Sequence, residues 1–275
     1  MEREYRPSHK GRRCLIAFLG VCAIILLVII VAVLLVFVIK DYETNQLEKS
    51  FLTRCEAFEG YNCEKIWILF KNAFVQKDPC KVPMEAYDLL FTAVPTKPSC
   101  NRMMFWTKTK DFVHEFTGKK DCFITLENML LGSVLDGLTW CGKENSDEIF
   151  TSGCPGWTDC ENNTVRSFWN KASTEFADAA CGDVSAMLNG SIATPYAPTS
   201  VFASIEVKRF ASPRVRSLNV VLVTEEKDVT NCTNASLKNL QNDLDKGIKY
   251  SCKEVAESQL QECSNNPEKP CGPCW

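Results

Sequence analysis

Three segments decide the fold class of this 275-residue chain: VSAML (184–188), VFASIEV (201–207) and LNVVLV (218–223). Each is short, β-branched and mostly apolar, which is typical of strands buried in a parallel sheet. A helix at 236–248 precedes a last short strand near 250–252. We predict an α/β protein: a helix-rich lobe plus a lobe with a short, mostly parallel four-stranded sheet and flanking helices, with a cleft between the lobes.

Glu206 is the acidic residue of the second segment. In TSVFASIEV (199–207) apolar and polar residues alternate, which predicts a strand with one apolar face and Glu206 on the other face. The preceding loop, SIATPYAP (191–198), contains two prolines. α/β proteins tend to place chemistry where strands meet long loops. The alternative is a solvated side chain on a half-buried strand, and this segment alone favours that alternative.

The first half of the chain is richer in helical patterns. Helices are predicted at 64–75, 84–93, 109–116, from near Thr125 and at 165–181, with a short buried strand at 102–106. The composition changes near Cys181. We therefore assign residues 55–99 and 125–180 to the helix-rich lobe, and residues 100–124 and 181–275 to the α/β lobe.

Residues 15–39 carry no charge and are numerous enough to cross a bilayer. Basic residues concentrate before this run, at Arg3, Arg6, Lys10, Arg12 and Arg13. Such an excess retains the N-terminus in the cytosol. We predict a single-pass type II protein of the plasma membrane, with a cytosolic tail (1–14), a transmembrane helix (15–39), a stalk (40–54) and an extracellular remainder.

The cysteines and sequons agree with that location. Cys14 and Cys22 lie in or beside the apolar run, and the other cysteines spread from Cys55 to Cys274. An even, dispersed set predicts disulfides formed in an oxidising compartment. We expect no metal, because only Cys271-Gly-Pro-Cys274 has the CxxC spacing and this part of the chain holds one histidine. N-glycosylation sequons occur at Asn162, Asn189, Asn231 and Asn234.

Several classes of function are disfavoured. The net charge of −3 and the lack of a basic stripe argue against nucleic-acid binding. With His114 as the one extracellular histidine and no GxSxG motif, a nucleophile activated by imidazole is disfavoured. Neither GxGxxG nor the Walker pattern occurs, so a glycine-rich phosphate loop is absent from the sequence.

What remains is carboxylate and aromatic chemistry. TLENMLLGSVLDGLTWCG (125–142) carries Glu127 and Asp136, and Trp106, Trp140 and Trp169 lie near polar residues. Carboxylates between aromatic walls suit a glycosidic bond, because its cleavage has an oxocarbenium-like transition state that negative charge stabilises. Aromatic faces suit a flat or cationic leaving group. Taken singly, each residue is better explained as a helix-dipole acid, a solvated acid or a core tryptophan.

Spacing tests whether the two acids can share a site. Glu127 and Asp136 would lie about half a turn out of phase on an unbroken helix. They can serve one pocket only if the helix is interrupted, and we predict the interruption at Gly132.

These segments resemble the ADP-ribosyl cyclase/cyclic ADP-ribose hydrolase family, in particular its membrane-anchored leukocyte ectoenzymes. The resemblance rests on CNRMMFWTKTKDFVHEFT (100–117), TLENMLLGSVLDGLTWCG, SFWNKASTEFADAACGDVSAMLNGS (167–191) and TSVFASIEV. Twelve cysteines fall where that family has six disulfides: Cys55, Cys63, Cys80, Cys100, Cys141, Cys154, Cys160, Cys181, Cys232, Cys252, Cys263 and Cys271. Cys122 and Cys274 have no partner assigned by the resemblance. Cys100 and Cys181 would form a disulfide at the hinge between the two lobes.

The resemblance implies an NAD glycohydrolase that needs no cofactor, with NAD and cyclic ADP-ribose as substrates. Glu206 would stabilise the ribosyl cation, while Glu127 and Asp136 would hold the nicotinamide carboxamide. Glu127 would also bias cyclisation against hydrolysis. Trp169 would join the two glutamates as a catalytic residue, and the implied binding residues are Trp106, Thr107, Lys108, Ser173 and Phe202. The resemblance leaves open whether the protein forms a homodimer.

Three positions depart from the family pattern. Thr107-Lys108 replaces a Ser-Arg pair, Val201 replaces a threonine, and Gly137 stands where a second acid is frequent. Lysine keeps the positive charge but loses the bidentate recognition of phosphate. The alternative reading is therefore a cell-surface receptor or adhesion domain with a weak or vestigial NAD pocket.

Overall fold

The computed structural model describes residues 9–225, 230–266, 271 and 274–275. In these residues the α-helices are α1 (His9–Cys55), α2 (Cys63–Phe74), α3 (Asp88–Ala93), α4 (Lys110–Lys119), α5 (Leu130–Leu135), α6 (Thr164–Asp178), α7 (Ala235–Asp243) and α8 (Glu257–Ser264). The strands are β1 (Met104–Thr107), β2 (Cys141–Lys143), β3 (Ser146–Phe150), β4 (Gly182–Asn189), β5 (Val215–Thr224) and β6 (Lys249–Ala256).

Four of the strands form one sheet, in the order β1-β4-β5-β6, and every pairing in it is parallel. The central strands β4 and β5 are buried along most of their length. Such burial is expected where both faces of a sheet are covered. The predicted mixed α/β fold with a four-stranded parallel sheet is confirmed, and the sheet uses the segments near 104, 184, 218 and 250.

The segment 199–207 is not a strand, and that prediction was wrong. Phe202–Glu206 forms a short π-helix. Ser200 starts this turn: its hydroxyl accepts a hydrogen bond from the Ala203 N–H at 3.2 Å, and its carbonyl accepts one from the Ser204 N–H at 2.9 Å. These local bonds outweigh a period-two pattern because serine competes for nearby backbone groups. π-helical turns are frequent at functional sites.

Asparagine side chains begin two of the longer helices. The Asn62 side chain accepts a hydrogen bond from the Lys65 N–H at the start of α2, and Asn163 does the same for Arg166 at the start of α6. These caps satisfy amide groups that have no partner inside the helix. The hairpin of β2 and β3 and the helix α8 were not predicted from the sequence.

One hydrophobic core joins the helices to a face of the sheet. Phe51 at the end of α1 packs against Trp67 and Phe70 of α2, with ring centroids 5.1 and 5.3 Å apart. Trp140 and Phe168 continue this aromatic cluster at 5.5 Å from each other. The last turns of α1 are therefore part of the folded domain, although they belong to the predicted stalk.

Seven disulfides join the cysteines between 55 and 274: Cys55–Cys63, Cys80–Cys160, Cys100–Cys181, Cys122–Cys271, Cys141–Cys154, Cys232–Cys252 and Cys263–Cys274. The implied bond between Cys100 and Cys181 is present. Cys122 and Cys274, unassigned from the sequence, are both paired.

The predicted membrane span, 15–39, lies within α1. Within the part of the chain that the structure describes, no helix combines the length and the apolar character that a membrane crossing requires. The cytosolic tail at 1–14 lies mostly outside the described residues. The lobe boundaries stay a prediction.

Candidate active site

A cavity of about 600 Å³ lies beside β1 and the residues that follow it. This volume is in the range of small-molecule sites. Its walls come from β1, the end of α5, α6 and the turn that carries Glu206. All nine residues predicted to act in catalysis or binding line it: Trp106, Thr107, Lys108, Glu127, Asp136, Trp169, Ser173, Phe202 and Glu206.

Glu206 is the buried acid of the cavity. The π-helix turns its carboxyl group inward, and only 7% of the residue is exposed. Burial raises the pKa of Glu206 to about 8; a hydrogen bond with Ser173 opposes this rise, and the negative charge of Glu127 adds to it. The group therefore keeps its proton until the pH approaches about 8, and a positively charged ligand beside it would favour the ionised form.

Glu127 lies in the same cavity in a different environment. Its Oε2 atom accepts a hydrogen bond from the Trp106 indole N–H at 3.2 Å and lies 3.4 Å from Nε2 of His114. Burial acts to raise the pKa of Glu127, but the contacts with His114, the backbone and Trp106 outweigh it and lower the pKa. The cavity thus holds Glu206, whose pKa is raised, and Glu127, whose pKa is lowered.

Asp136 reaches the cavity because the helix between the two acids is broken. Leu126–Asn128 is a 3-10 turn that Thr125 caps, and α5 starts afresh after Met129, whose backbone is extended. The break was predicted at Gly132 and falls at Met129 instead. Gly132 lies inside α5, where a Cβ atom would meet the Leu126 carbonyl oxygen at 2.1 Å. This glycine therefore allows the 3-10 turn to pack on α5.

Aromatic rings form the sides of the cavity. Trp106 is half-buried in β1, and Trp169 on α6 packs edge-on against the buried Phe168 with centroids 5.2 Å apart. Trp157 also lines the cavity and is 43% exposed. It was not predicted as a site residue because it lies in an irregular segment, TSGCPGWTDC (151–160), with no periodic pattern.

The rim beside β1 is polar. Lys108 follows the strand with a φ of 56°, and its carbonyl oxygen accepts a hydrogen bond from the Asn189 side chain at 3.1 Å. Lys110 lines the cavity as well and forms an ion pair with Asp136 at 2.7 Å. This pair could not be predicted from the sequence, because only the fold brings the two residues together.

Comparison with known proteins places this chain in a family. A family profile described as ADP-ribosyl cyclase matches residues 44–272. The chain belongs to the ADP-ribosyl cyclase family.

Individual members of the family match along most of their length. ADP-ribosyl cyclase/cyclic ADP-ribose hydrolase 1 of Mus musculus is 30% identical over 96% of this chain and 94% of its own. A solved structure of porcine CD38 with a covalent intermediate, ribo-F-ribose-5'-phosphate, has a TM-score of 0.73 at 36% identity, over 77% of this chain and 96% of its own.

A structure of the Aplysia cyclase with substrate NGD and product cGDPR is similar too. Its TM-score is 0.71 at 29% identity, over 83% of this chain and 96% of its own. The fold of the family is therefore shared along nearly the full length of these relatives.

Proposed function

We propose that this protein cleaves the nicotinamide–ribose bond of NAD and yields nicotinamide, ADP-ribose and cyclic ADP-ribose, and that it hydrolyses cyclic ADP-ribose. The observation that carries the proposal is the burial of Glu206 in a cavity that also holds Trp106, Trp169 and Glu127. A buried carboxylate beside indole rings stabilises a cation more strongly than one in water does.

The first step breaks the bond between C1′ of the ribose and the pyridinium nitrogen. Its electron pair leaves with the nitrogen, so a neutral nicotinamide departs and the ribosyl group becomes an oxocarbenium-like cation. No proton has to be delivered to the leaving group, and a site with one nearby histidine can therefore perform this step. Ionised Glu206 stabilises the cation. The covalent intermediate seen in porcine CD38 supports such a stabilised ribosyl group.

The second step decides the product. Attack on C1′ by water, followed by loss of its proton, gives ADP-ribose, whereas attack by a nitrogen of the adenine ring gives cyclic ADP-ribose. Attack of water on the same carbon of cyclic ADP-ribose breaks its bond to that adenine nitrogen, which keeps the electron pair, and loss of a proton from the water gives ADP-ribose. We propose that Glu127 influences this choice.

We propose that the other lining residues hold NAD at its two ends. Asp136, with Glu127, holds the carboxamide of nicotinamide, and Trp106 and Trp169 enclose the rings. Thr107, Lys108, Ser173 and Phe202 contact ribose or phosphate. Lys108 supplies positive charge at the polar rim, with a single ammonium group rather than a fork of donors.

We further propose that the protein is anchored by residues 15–39 in the plasma membrane, with its catalytic part outside the cell. The uncharged sequence supports this topology, as do the exposed apolar side chains between Phe18 and Leu35 and the seven disulfides. Glycans at Asn162, Asn189, Asn231 and Asn234 belong to the same proposal, and Asn162 and Asn231 are exposed.

The test is product analysis. The full chain, purified in detergent, is incubated with NAD or with cyclic ADP-ribose, and the products are separated by chromatography. The proposal predicts nicotinamide with ADP-ribose and some cyclic ADP-ribose from NAD, and ADP-ribose from cyclic ADP-ribose. A correctly folded protein that binds NAD and leaves it intact would instead support the receptor alternative.

A further inference from the structure

Arg54, at the end of α1, contacts the backbone of the candidate site from outside the cavity. Its Nη1 atom donates hydrogen bonds to the carbonyl oxygens of Val134 at 3.0 Å and Asp136 at 2.7 Å. Arg54 does not line the cavity. We infer that Arg54 is a positioning residue that fixes Asp136 and thereby the nicotinamide end of the site. The inference rests on the proposed function for the identity of the ligand.

The carbonyls that Arg54 binds belong to the C-terminal end of α5. Asp136 leaves the helix with φ −60° and ψ 131°, and Gly137 follows with φ 72°. Carbonyl groups at a helix end lack partners within the helix, and a cation there is favoured by the helix dipole. Arg54 supplies both the missing donor and the charge at the point where the chain turns into the cavity.

The backbone at Arg54 is itself fixed, although the residue is exposed. Phe51 and Leu47, about one and about two turns earlier in α1, are 0% and 3% exposed in the core. The next residue, Cys55, is buried and bonded to Cys63 at the start of α2. The end of α1 therefore cannot move without disturbing the core, and this rigidity passes to Asp136 through Arg54.

Asp136 is held from two sides. Lys110 on α4 binds its carboxylate at 2.7 Å, while Arg54 on α1 binds its carbonyl oxygen. Gly137 and Leu138, the residues after it, line the same cavity. Loss of the Lys110 contact would free one side chain, whereas loss of Arg54 would free the backbone that carries Asp136 and the residues after it.

Arginine suits this arrangement because its planar guanidinium holds the two N–H groups of one nitrogen in a fixed geometry toward two carbonyls. The ammonium group of lysine has a shorter reach and a less defined direction. Lysine should therefore restore the charge at the helix end and only part of the positioning.

The test compares Arg54→Ala and Arg54→Lys with the wild type, using the full chain in detergent. Arg102→Ala is the matched control, because Arg102 also donates to two backbone carbonyls, of Asp121 and Cys122, and does not line the cavity. Nicotinamide and ADP-ribose are each titrated and followed by tryptophan fluorescence. The KM and kcat for NAD are measured in parallel, and thermal melting reports stability.

Arg54→Ala should weaken the binding of nicotinamide about 5- to 10-fold and raise the KM for NAD by a similar factor, because two hydrogen bonds from a charged donor are lost. Its affinity for ADP-ribose and its kcat should stay within about twofold, since Arg54 touches neither the ribose side nor the reacting atoms. Arg54→Lys should have a nicotinamide affinity between those of the wild type and Arg54→Ala. Arg102→Ala should match the wild type in both titrations.

Equal loss of nicotinamide and ADP-ribose binding in Arg54→Ala would show a general structural role and overturn the inference, as would unchanged nicotinamide binding. If Arg54→Ala does not fold, the same comparison is made with Arg54→Lys. A wild type that binds nicotinamide but does not cleave NAD would refute the proposed function while leaving this comparison intact.

Discussion

Glu206 and Glu127 line one cavity, yet their pKa values are shifted in opposite directions. Burial without enough compensating hydrogen bonds raises the pKa of Glu206 to about 8, whereas His114 and Trp106 hold the pKa of Glu127 below its usual value. This difference separates their roles. Glu127 is ionised before substrate arrives, and Glu206 becomes ionised as pH rises or as a cation enters.

The pH dependence of catalysis should report this arrangement. Because only ionised Glu206 stabilises a cation, kcat/KM for NAD should rise about tenfold per pH unit below about 8 and level off above it. The midpoint of the kcat profile should lie at lower pH than that of kcat/KM, because the bound pyridinium favours the ionised form of Glu206. Initial rates of nicotinamide release between about pH 5 and about pH 10 measure both profiles.

Glu127→Gln provides the internal check on that profile. It removes the negative charge that raises the pKa of Glu206, so the midpoint of kcat/KM should move to lower pH. A midpoint that stays in place would show that the charge of Glu127 does not act on Glu206.

Stability should respond to the same group. The native state keeps a proton on Glu206 that the unfolded chain loses at its ordinary pKa of 4.5, so the free energy of unfolding falls as pH rises from about 4.5 to about 8. At about 1.36 kcal/mol per pKa unit the loss reaches several kcal/mol. Glu206→Gln should therefore melt at higher temperature than the wild type above about pH 8 and at nearly the same temperature near pH 5. An equal melting temperature for the two proteins at the higher pH would contradict the raised pKa.

At the scale of elements, periodicity predicted the strands of the four-stranded sheet well and the turn that carries Glu206 badly. The apolar runs near 184 and 218 have few ways to satisfy their pattern other than a covered parallel sheet. The segment 199–207 has the same alternation, but the Ser200 hydroxyl accepts a hydrogen bond from the Ala203 N–H, and the chain continues as a π-helix in which the Val207 N–H donates to the Phe202 carbonyl. Local side-chain hydrogen bonds of this kind leave no mark on hydrophobic periodicity.

The candidate site was found through the motifs of the family rather than through pattern. Each tryptophan and acid was, taken alone, better explained by core packing or solvation. The contact of His114 with Glu127 and that of Arg54 with Asp136 could not be predicted, because they join elements distant in sequence whose relative placement only the fold determines.

Gly132 tests the junction between the 3-10 turn and α5. A methyl group there would meet the Leu126 carbonyl, so Gly132→Ala should cost about 2 kcal/mol or more and lower NAD cleavage by moving Glu127. Gly118→Ala is the matched control: Gly118 is also helical, and a Cβ atom there would have nothing within 4 Å. The control should be neutral or slightly stabilising. Urea unfolding and nicotinamide release measure both variants, and equal behaviour of the two would contradict the described packing.

At the scale of the whole molecule, disulfides tie Cys271 and Cys274, near the C-terminus, to the loop after α4 and to α8. Cys122, after α4, pairs with Cys271, and Cys263 on α8 pairs with Cys274. The sequence could indicate an oxidised framework but not these partners, because connectivity depends on which chain segments the fold brings together.

Peptide mapping without reduction tests this pairing. Proteolysis of the full chain should give linked peptides for Cys122–Cys271 and Cys263–Cys274. A linked pair of Cys263 with Cys271, and Cys122 recovered as an alkylated free thiol, would contradict the C-terminal arrangement and leave the active-site account unaffected.

We propose that one buried carboxylate, that of Glu206, makes the departure of nicotinamide possible. The most direct measurement is the rate of nicotinamide release from NAD by Glu206→Gln, beside the wild type and Glu115→Gln, whose glutamate is exposed on α4. We expect a loss of about 10²- to 10³-fold for Glu206→Gln, with Glu115→Gln unchanged. A Glu206→Gln protein that cleaves NAD at the wild-type rate would contradict this role of Glu206.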